Sequence, residues 1–96
     1  MHTFGEAEFE WDDGKAAVNL AKHGVDIADA LFVFDDPRAI TLGDDHPGEE
    51  RYVTFGMDAL GRLVGVAYTW RGDAVRIISA RKATRTEARL YAAGEP

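Results

Sequence analysis

Residues 51–82 read RYVTFGMDALGRLVGVAYTWRGDAVRIISARK, and their pattern decides the fold. Three runs rich in β-branched, aromatic and small apolar residues, 51–57, 62–70 and 74–82, alternate with the turn-forming stretches Asp58-Ala59-Leu60-Gly61 and Arg71-Gly72-Asp73. Runs of that length and composition read as strands, and loops of three or four residues join strands only in antiparallel pairs. The segment therefore predicts a meander, with a further strand over residues 39–42 ahead of the turn-rich stretch 43–48.

Outward from the meander the apolar period lengthens. Phe9-Glu10-Trp11 reads as a short strand, after which Asp12 or Asp13 caps a helix over 14–23 that Gly24 closes in the left-handed conformation. Asp26 caps a second helix whose residues Ile27, Ala30, Leu31 and Phe34 keep one apolar face, and Asp36-Pro37 stops it. Downstream, Thr84 and Glu87 stand three apart as in a capping box and predict a last helix over 85–93. The order β-α-α-β-β-β-β-α predicts an α+β fold, an antiparallel sheet with helices packed on it. A chain of 96 residues has room for one domain, 1–96, with 1–7 and 94–96 expected to fray.

Composition narrows the class. There is no cysteine, so disulfides and thiolate metal sites are excluded. No apolar run approaches the roughly 20 residues of a membrane span, and residues 1–10 lack the pattern of a signal peptide, so a soluble cytoplasmic protein without membrane contact is expected. The net charge is -6, yet the stretch 71–91 carries Arg71, Arg76, Arg81, Lys82, Arg85 and Arg89 against only Asp73 and Glu87. A basic segment on an acidic chain suits aimed contact with a polyanion better than general coating of it. The two helices are not a DNA-reading pair, because the second holds Asp26 and Asp29 and no base. The acidic stretch 44–50 lacks a recognisable cation-ligand spacing and reads as a solvated turn.

Loop length fixes register. A four-residue loop that sets Met57 opposite Arg62 sets Arg51 opposite Tyr68, and a three-residue loop that sets Trp70 opposite Ala74 sets Tyr68 opposite Arg76. Arg51, Tyr68 and Arg76 are then expected in one row, with Glu49 on the same face and with Val53, Phe55, Val64, Val66, Ile78 and Ala80 continuing that face as core. A single-residue slip would turn each strand over.

The ordered set Phe9-Glu10-Trp11-Asp12, Lys15, Asn19, Lys22-His23-Gly24-Val25, His46, Glu49-x-Arg51, Gly56, Tyr68-Thr69, Arg71-Gly72, Arg76 to Thr84, Glu87 and Tyr91 closely resembles the BrnT toxins of bacterial type II toxin-antitoxin systems. The resemblance spans nearly the whole chain and implies a fold similar to the RelE and ParE toxins. It also implies an endoribonuclease that inhibits translation and is neutralised by a BrnA-type antitoxin, with operator DNA bound only through the antitoxin complex. The family commonly has an arginine where Ala88 stands here, so no phosphate contact carries over to that position.

RNA can be cut without a metal by its own 2'-hydroxyl, provided the protein supplies a base, an acid and positive charge for the phosphate. The expected row holds these types: Arg51 and Arg76 to clamp the phosphate, Glu49 or His23 as base, Tyr68 or His23 as acid. Arg81, Lys82 and Arg85 are candidates for backbone contact, with Arg81 also facing an antitoxin. No cofactor is called for. The rival is a non-catalytic interaction module, in which the same arginines only bind an acidic antitoxin and help it repress DNA. The assembly, a homodimer or a heterotetramer with the antitoxin, stays open, and the apolar Phe32 and Trp70 are compatible with either.

Overall fold

The computed structural model describes the backbone of residues 2–4 and 7–94 and the side chains of residues 7–44 and 47–94. Six strands form one mixed sheet in the order β1-β2-β6-β5-β4-β3: β1 (His2–Phe4), β2 (Ala7–Glu10), β3 (Ile40–His46), β4 (Glu49–Met57), β5 (Leu63–Arg71) and β6 (Ala74–Lys82). Helices α1 (Asp13–His23) and α2 (Ile27–Ala30) lie between β2 and β3, and α3 (Arg85–Ala93) follows β6. The expected α+β class holds, and two features differ from the expectation of an antiparallel sheet in the order β-α-α-β-β-β-β-α. His2–Phe4 pairs with β2 where fraying was expected, and β2 runs parallel to β6, which makes the sheet mixed. Met1, Gly5, Glu6, Glu95 and Pro96 lie outside the described residues. Among the described residues, no helix is long and apolar enough to cross a membrane.

Local chemistry sets the helix ends. Asp12 caps α1 by accepting the Lys15 amide at 2.8 Å, and Gly24 closes it at φ 70°, where a Cβ would be strained. Asp26 caps α2 through the Ala28 amide, but after one turn the chain tightens into a 3-10 helix, Leu31–Asp35, instead of the continuous helix expected to Phe34. The tighter winding places Leu31 and Val33 in the core and leaves Phe32 exposed. At α3, Thr84 and Glu87 satisfy each other's amides as the sequence predicts.

The core lies between one face of the sheet and the segment α1–α2–3-10. It joins Val64, Val66 and Tyr68 of β5 and Val75, Ile77 and Ala80 of β6 to Phe9, Val25, Ile27, Ala30, Leu31 and Val33. Asn19 fastens α1 to the sheet: its amide donates to the carbonyls of Ala80 and Val25, and its oxygen accepts the Ala80 amide. On the other face Phe55 covers Gly65, and Arg81 lies over the Phe55 ring at 5.8 Å.

Three register expectations are corrected. The loop between β4 and β5 has five residues, because Asp58 accepts the amides of Leu60 and Arg62, pairs its Oδ2 with the Arg62 guanidinium, and so draws Arg62 into the turn; Met57 therefore faces Leu63. The loop between β5 and β6 has two residues, Gly72 at φ 61° and Asp73, so Arg71 faces Ala74 and Trp70 faces Val75. Finally, a bulge between Ala67 and Tyr68 leaves Ile78 unmatched on β6, since Ala67 faces Ser79 and Tyr68 faces Ile77. Val53, Phe55 and Ile78 accordingly leave the expected core face, and Thr54 and Gly56 take it. The stretch 43–48, expected as a loop, mostly extends β3, with Gly43 and Asp44 paired to Tyr52 and Arg51.

Candidate active site

A line of side chains crosses the sheet at the end away from α3. Arg51 on β4 sits one step beyond the Tyr52–Tyr68 pair and so lies level with Thr69 on β5, which faces Arg76 on β6, which in turn faces Glu10 on β2. The expected row of Arg51, Tyr68 and Arg76 is thus corrected at its middle: Thr69 stands there, and Tyr68 points to the opposite face. Tyr68 is 7% exposed, packs edge-on against Phe34, and shares a 2.9 Å hydrogen bond between its hydroxyl and that of Thr54.

Around that line opens a cavity of about 300 Å³, lined by Asp12, Lys15, Glu49, Arg51, Thr69, Arg71, Arg76, Ile77 and Ile78. Four cations face two carboxylates there, and the Asp12 carboxylate is already engaged in capping α1. Arg51 pairs loosely with Glu49 at 3.5 Å, while its buried Nε hydrogen-bonds to no described residue. A buried donor left unmet costs about 1–3 kcal/mol, so an anion that supplies an acceptor gains affinity from the relief. The cavity can hold a phosphate between two or more guanidiniums and place a carboxylate beside it.

The structure brings Glu49, Arg51 and Arg76 together and places the other candidates elsewhere. His23 ends α1 in a neighbouring depression of about 270 Å³, lined also by Lys15, Val18, Asn19, Lys22, Ile78 and Ser79; Lys15 and Ile78 border both. Arg81 is held in a bidentate pair with Glu87 at 2.7 and 2.9 Å, which leaves little of its fork for RNA. The Arg81 contact, aided by Thr84 and opposed by partial burial, holds the Glu87 carboxyl at about 2 against an ordinary 4.5. Lys82 and Arg85 are exposed, and Lys82 is six residues along β6 from Arg76, about 20 Å at strand rise. His46 belongs to the pairing of β3 with β4, and its side chain lies outside the described residues.

Of the six lining residues to which the sequence assigned no role at the site, three carry polar groups not already engaged as a cap. Thr69 enters through the two-residue hairpin, Arg71 through its place at the end of β5, and Lys15 through the first turn of α1, where its backbone amide meets the Asp12 cap. Glu10 went unassigned too, because its pairing with Arg76 depends on two strands far apart in sequence. A wider and more open depression of about 470 Å³ covers the β3–β4 hairpin, but its lining includes Asp44, Glu49 and Glu50 against Arg51 alone and suits a polyanion poorly. Among the described residues, no three acidic or histidine side chains gather as a cation site needs.

Comparison with known proteins bears on the family and the fold. No curated protein sequence matches the chain significantly. The crystal structure of the Brucella abortus ribonuclease toxin BrnT superposes with a TM-score of 0.61 at 26% identity, covering 82% of this chain and 99% of that one. A family model described as the ribonuclease toxin BrnT of type II toxin-antitoxin systems matches residues 11–87, a span that takes in every residue lining the cavity. The chain accordingly belongs to the BrnT family of ribonuclease toxins.

Proposed function

We propose that this protein is a metal-independent endoribonuclease of the cytoplasm that cuts RNA, thereby inhibits translation, and is silenced by a BrnA-type antitoxin laid over the basic cavity. The observation that carries the reading is the meeting of Arg51 and Arg76 with Glu49 in one cavity of the sheet. Glu49 takes the proton of a 2'-hydroxyl, whose oxygen attacks the adjacent phosphorus. The 5'-oxygen leaves with a proton supplied by Lys15, which lines the same cavity, whereas His23 lies in the neighbouring depression and does not line it. The products are a 2',3'-cyclic phosphate and a free 5'-hydroxyl, and Arg51 and Arg76 neutralise the phosphate as it crowds. The RelE-like likeness of the fold and the reading of the chain as one domain belong to the same proposal, as does operator binding only through the antitoxin complex.

Incubation of single-stranded RNA with the protein in EDTA tests it. Cutting is expected from the wild type, and a loss of about 100-fold or more from Arg51→Ala and from Arg76→Ala with circular dichroism unchanged. If no form cuts, the chain is a non-catalytic binding module; if cutting needs added magnesium, the metal-independent route fails.

A further inference from the structure

Behind the cavity wall stands a carboxylate that the proposed chemistry does not use. Glu10 ends β2, and the parallel pairing of β2 with β6 sets it opposite Arg76. Its Oε1 lies 3.8 Å from Arg76 Nη1 and 4.0 Å from Arg71 Nε, two guanidiniums carried by neighbouring strands. The Glu10 side chain is 17% exposed, and Oε1 itself is buried without a hydrogen bond to any described residue. Arg71 and Arg76 line the cavity, whereas Glu10 does not.

Distance sets the role. In the Arg81–Glu87 pair the oxygens sit at 2.7 and 2.9 Å and occupy the guanidinium fork, which makes a strut. At 3.8 and 4.0 Å, Glu10 attracts both arginines while accepting a hydrogen bond from neither, so their N–H groups stay available to another acceptor. Two guanidiniums beside one cavity repel each other and would splay without an opposite charge between them. We propose that Glu10 is a positioning residue that gathers Arg71 and Arg76 and aims both at the scissile phosphate, which makes Arg71 a third phosphate-contacting group. The proposal rests on the ribonuclease reading above and adds two residues to it.

Single-turnover cleavage in EDTA, which also measures slow variants, tests this with Glu10→Gln, Glu10→Asp, Arg71→Ala and Arg76→Ala. A carboxylate that merely lowers the local potential would, once neutralised by Glu10→Gln, give tighter RNA binding and an unchanged maximal rate. A positioning carboxylate gives a maximal rate down about tenfold with half-saturation no higher, partly recovered in Glu10→Asp. In the Arg76→Ala background, adding Glu10→Gln should lower the rate by less than about threefold, because its main client is gone. Arg71→Ala should slow cutting and flatten the salt dependence of binding by about 0.7 log unit per decade. A Glu10→Gln rate within twofold of wild type, a full tenfold loss repeated on Arg76→Ala, or an Arg71→Ala indistinguishable from wild type each overturns the proposal while the loss in Arg76→Ala keeps the site reading. Equal cutting by Arg76→Ala and wild type removes both.

Discussion

Glu87 does two jobs with one carboxylate: Oε1 accepts the Thr84 amide at 2.8 Å, completing the cap of α3, and both oxygens take the Arg81 fork. Because its folded-state value of about 2 lies below the ordinary 4.5, the unfolded chain binds the proton first. The resulting stability is complete above about pH 5 and drains away as pH falls toward 2. Arg81 is 38% exposed, so solvent screening keeps the pair modest, and Glu87→Gln should cost about 1 kcal/mol near neutral pH and nothing near pH 2. Melting temperatures of both proteins across that range check it. Asp36 shows the same logic at the other end of α3. Partial burial pushes its carboxyl up, but the Tyr91 hydroxyl at 2.7 Å and the Met57 and Arg38 amides outweigh burial and hold it below the usual range. Asn19 is the more costly residue to lose. Its Ala variant strands the buried amide and carbonyl of Ala80 together and should destabilise by about 2–4 kcal/mol in urea titrations.

Between elements, loop chemistry decides which face a strand shows. Capping signals were largely legible because they are local: Gly24, Asp26, Thr84 and Glu87 act within four residues of their own positions, and of the two caps left open for α1 the structure takes Asp12. The two hairpin registers were not, since Asp58 recruits Arg62 through its side chain and Arg71 pairs as strand although it adjoins a Gly-Asp turn. Both slips have the same sense on β5, so Arg51 and Arg76 kept a common row while Thr69 replaced Tyr68 within it. The two arginines therefore share a row because the two register errors cancel, while the identity of their neighbour shows both errors. The bulge at Ile78 then puts Ala80 on the core face, where the sequence reading also had it, although Ile78 and Arg76, read as sharing that face, do not. The pairing of β4 with β5 also explains a glycine: a Cβ on Gly65 would meet the Phe55 ring at 2.6 Å. Gly65→Ala should displace that ring, loosen the Arg81 contact above it, and lower stability by about 1–3 kcal/mol, measured as a reduced denaturation midpoint at unchanged slope.

At the scale of the molecule, folding divides the basic segment that stood out in the sequence. Arg71 and Arg76 reach the cavity, Arg81 turns inward to Glu87, and Lys82 and Arg85 lie toward the far end of β6. No local pattern announces this division, because it follows from the parallel docking of β2 on β6 and from the turn that sends α3 back across the sheet. The chain as a whole carries -6, so a polyanion is repelled over most of the surface and, on the function proposed above, RNA is drawn in at one mouth. Few phosphates are then engaged. Three arginines acting on the backbone predict a slope of log affinity against log salt near -2, since each single-strand contact contributes about 0.7. Anisotropy titrations of an uncleavable 2'-deoxy oligonucleotide between low and high salt measure that slope directly. Arg51→Ala should flatten it by about 0.7, and Arg85→Ala by clearly less, because the RNA path proposed here stays at the cavity. A wild-type slope steeper than about -4, or equal flattening by both variants, would mean that the whole basic segment coats the RNA and that the cavity has no privileged place in binding.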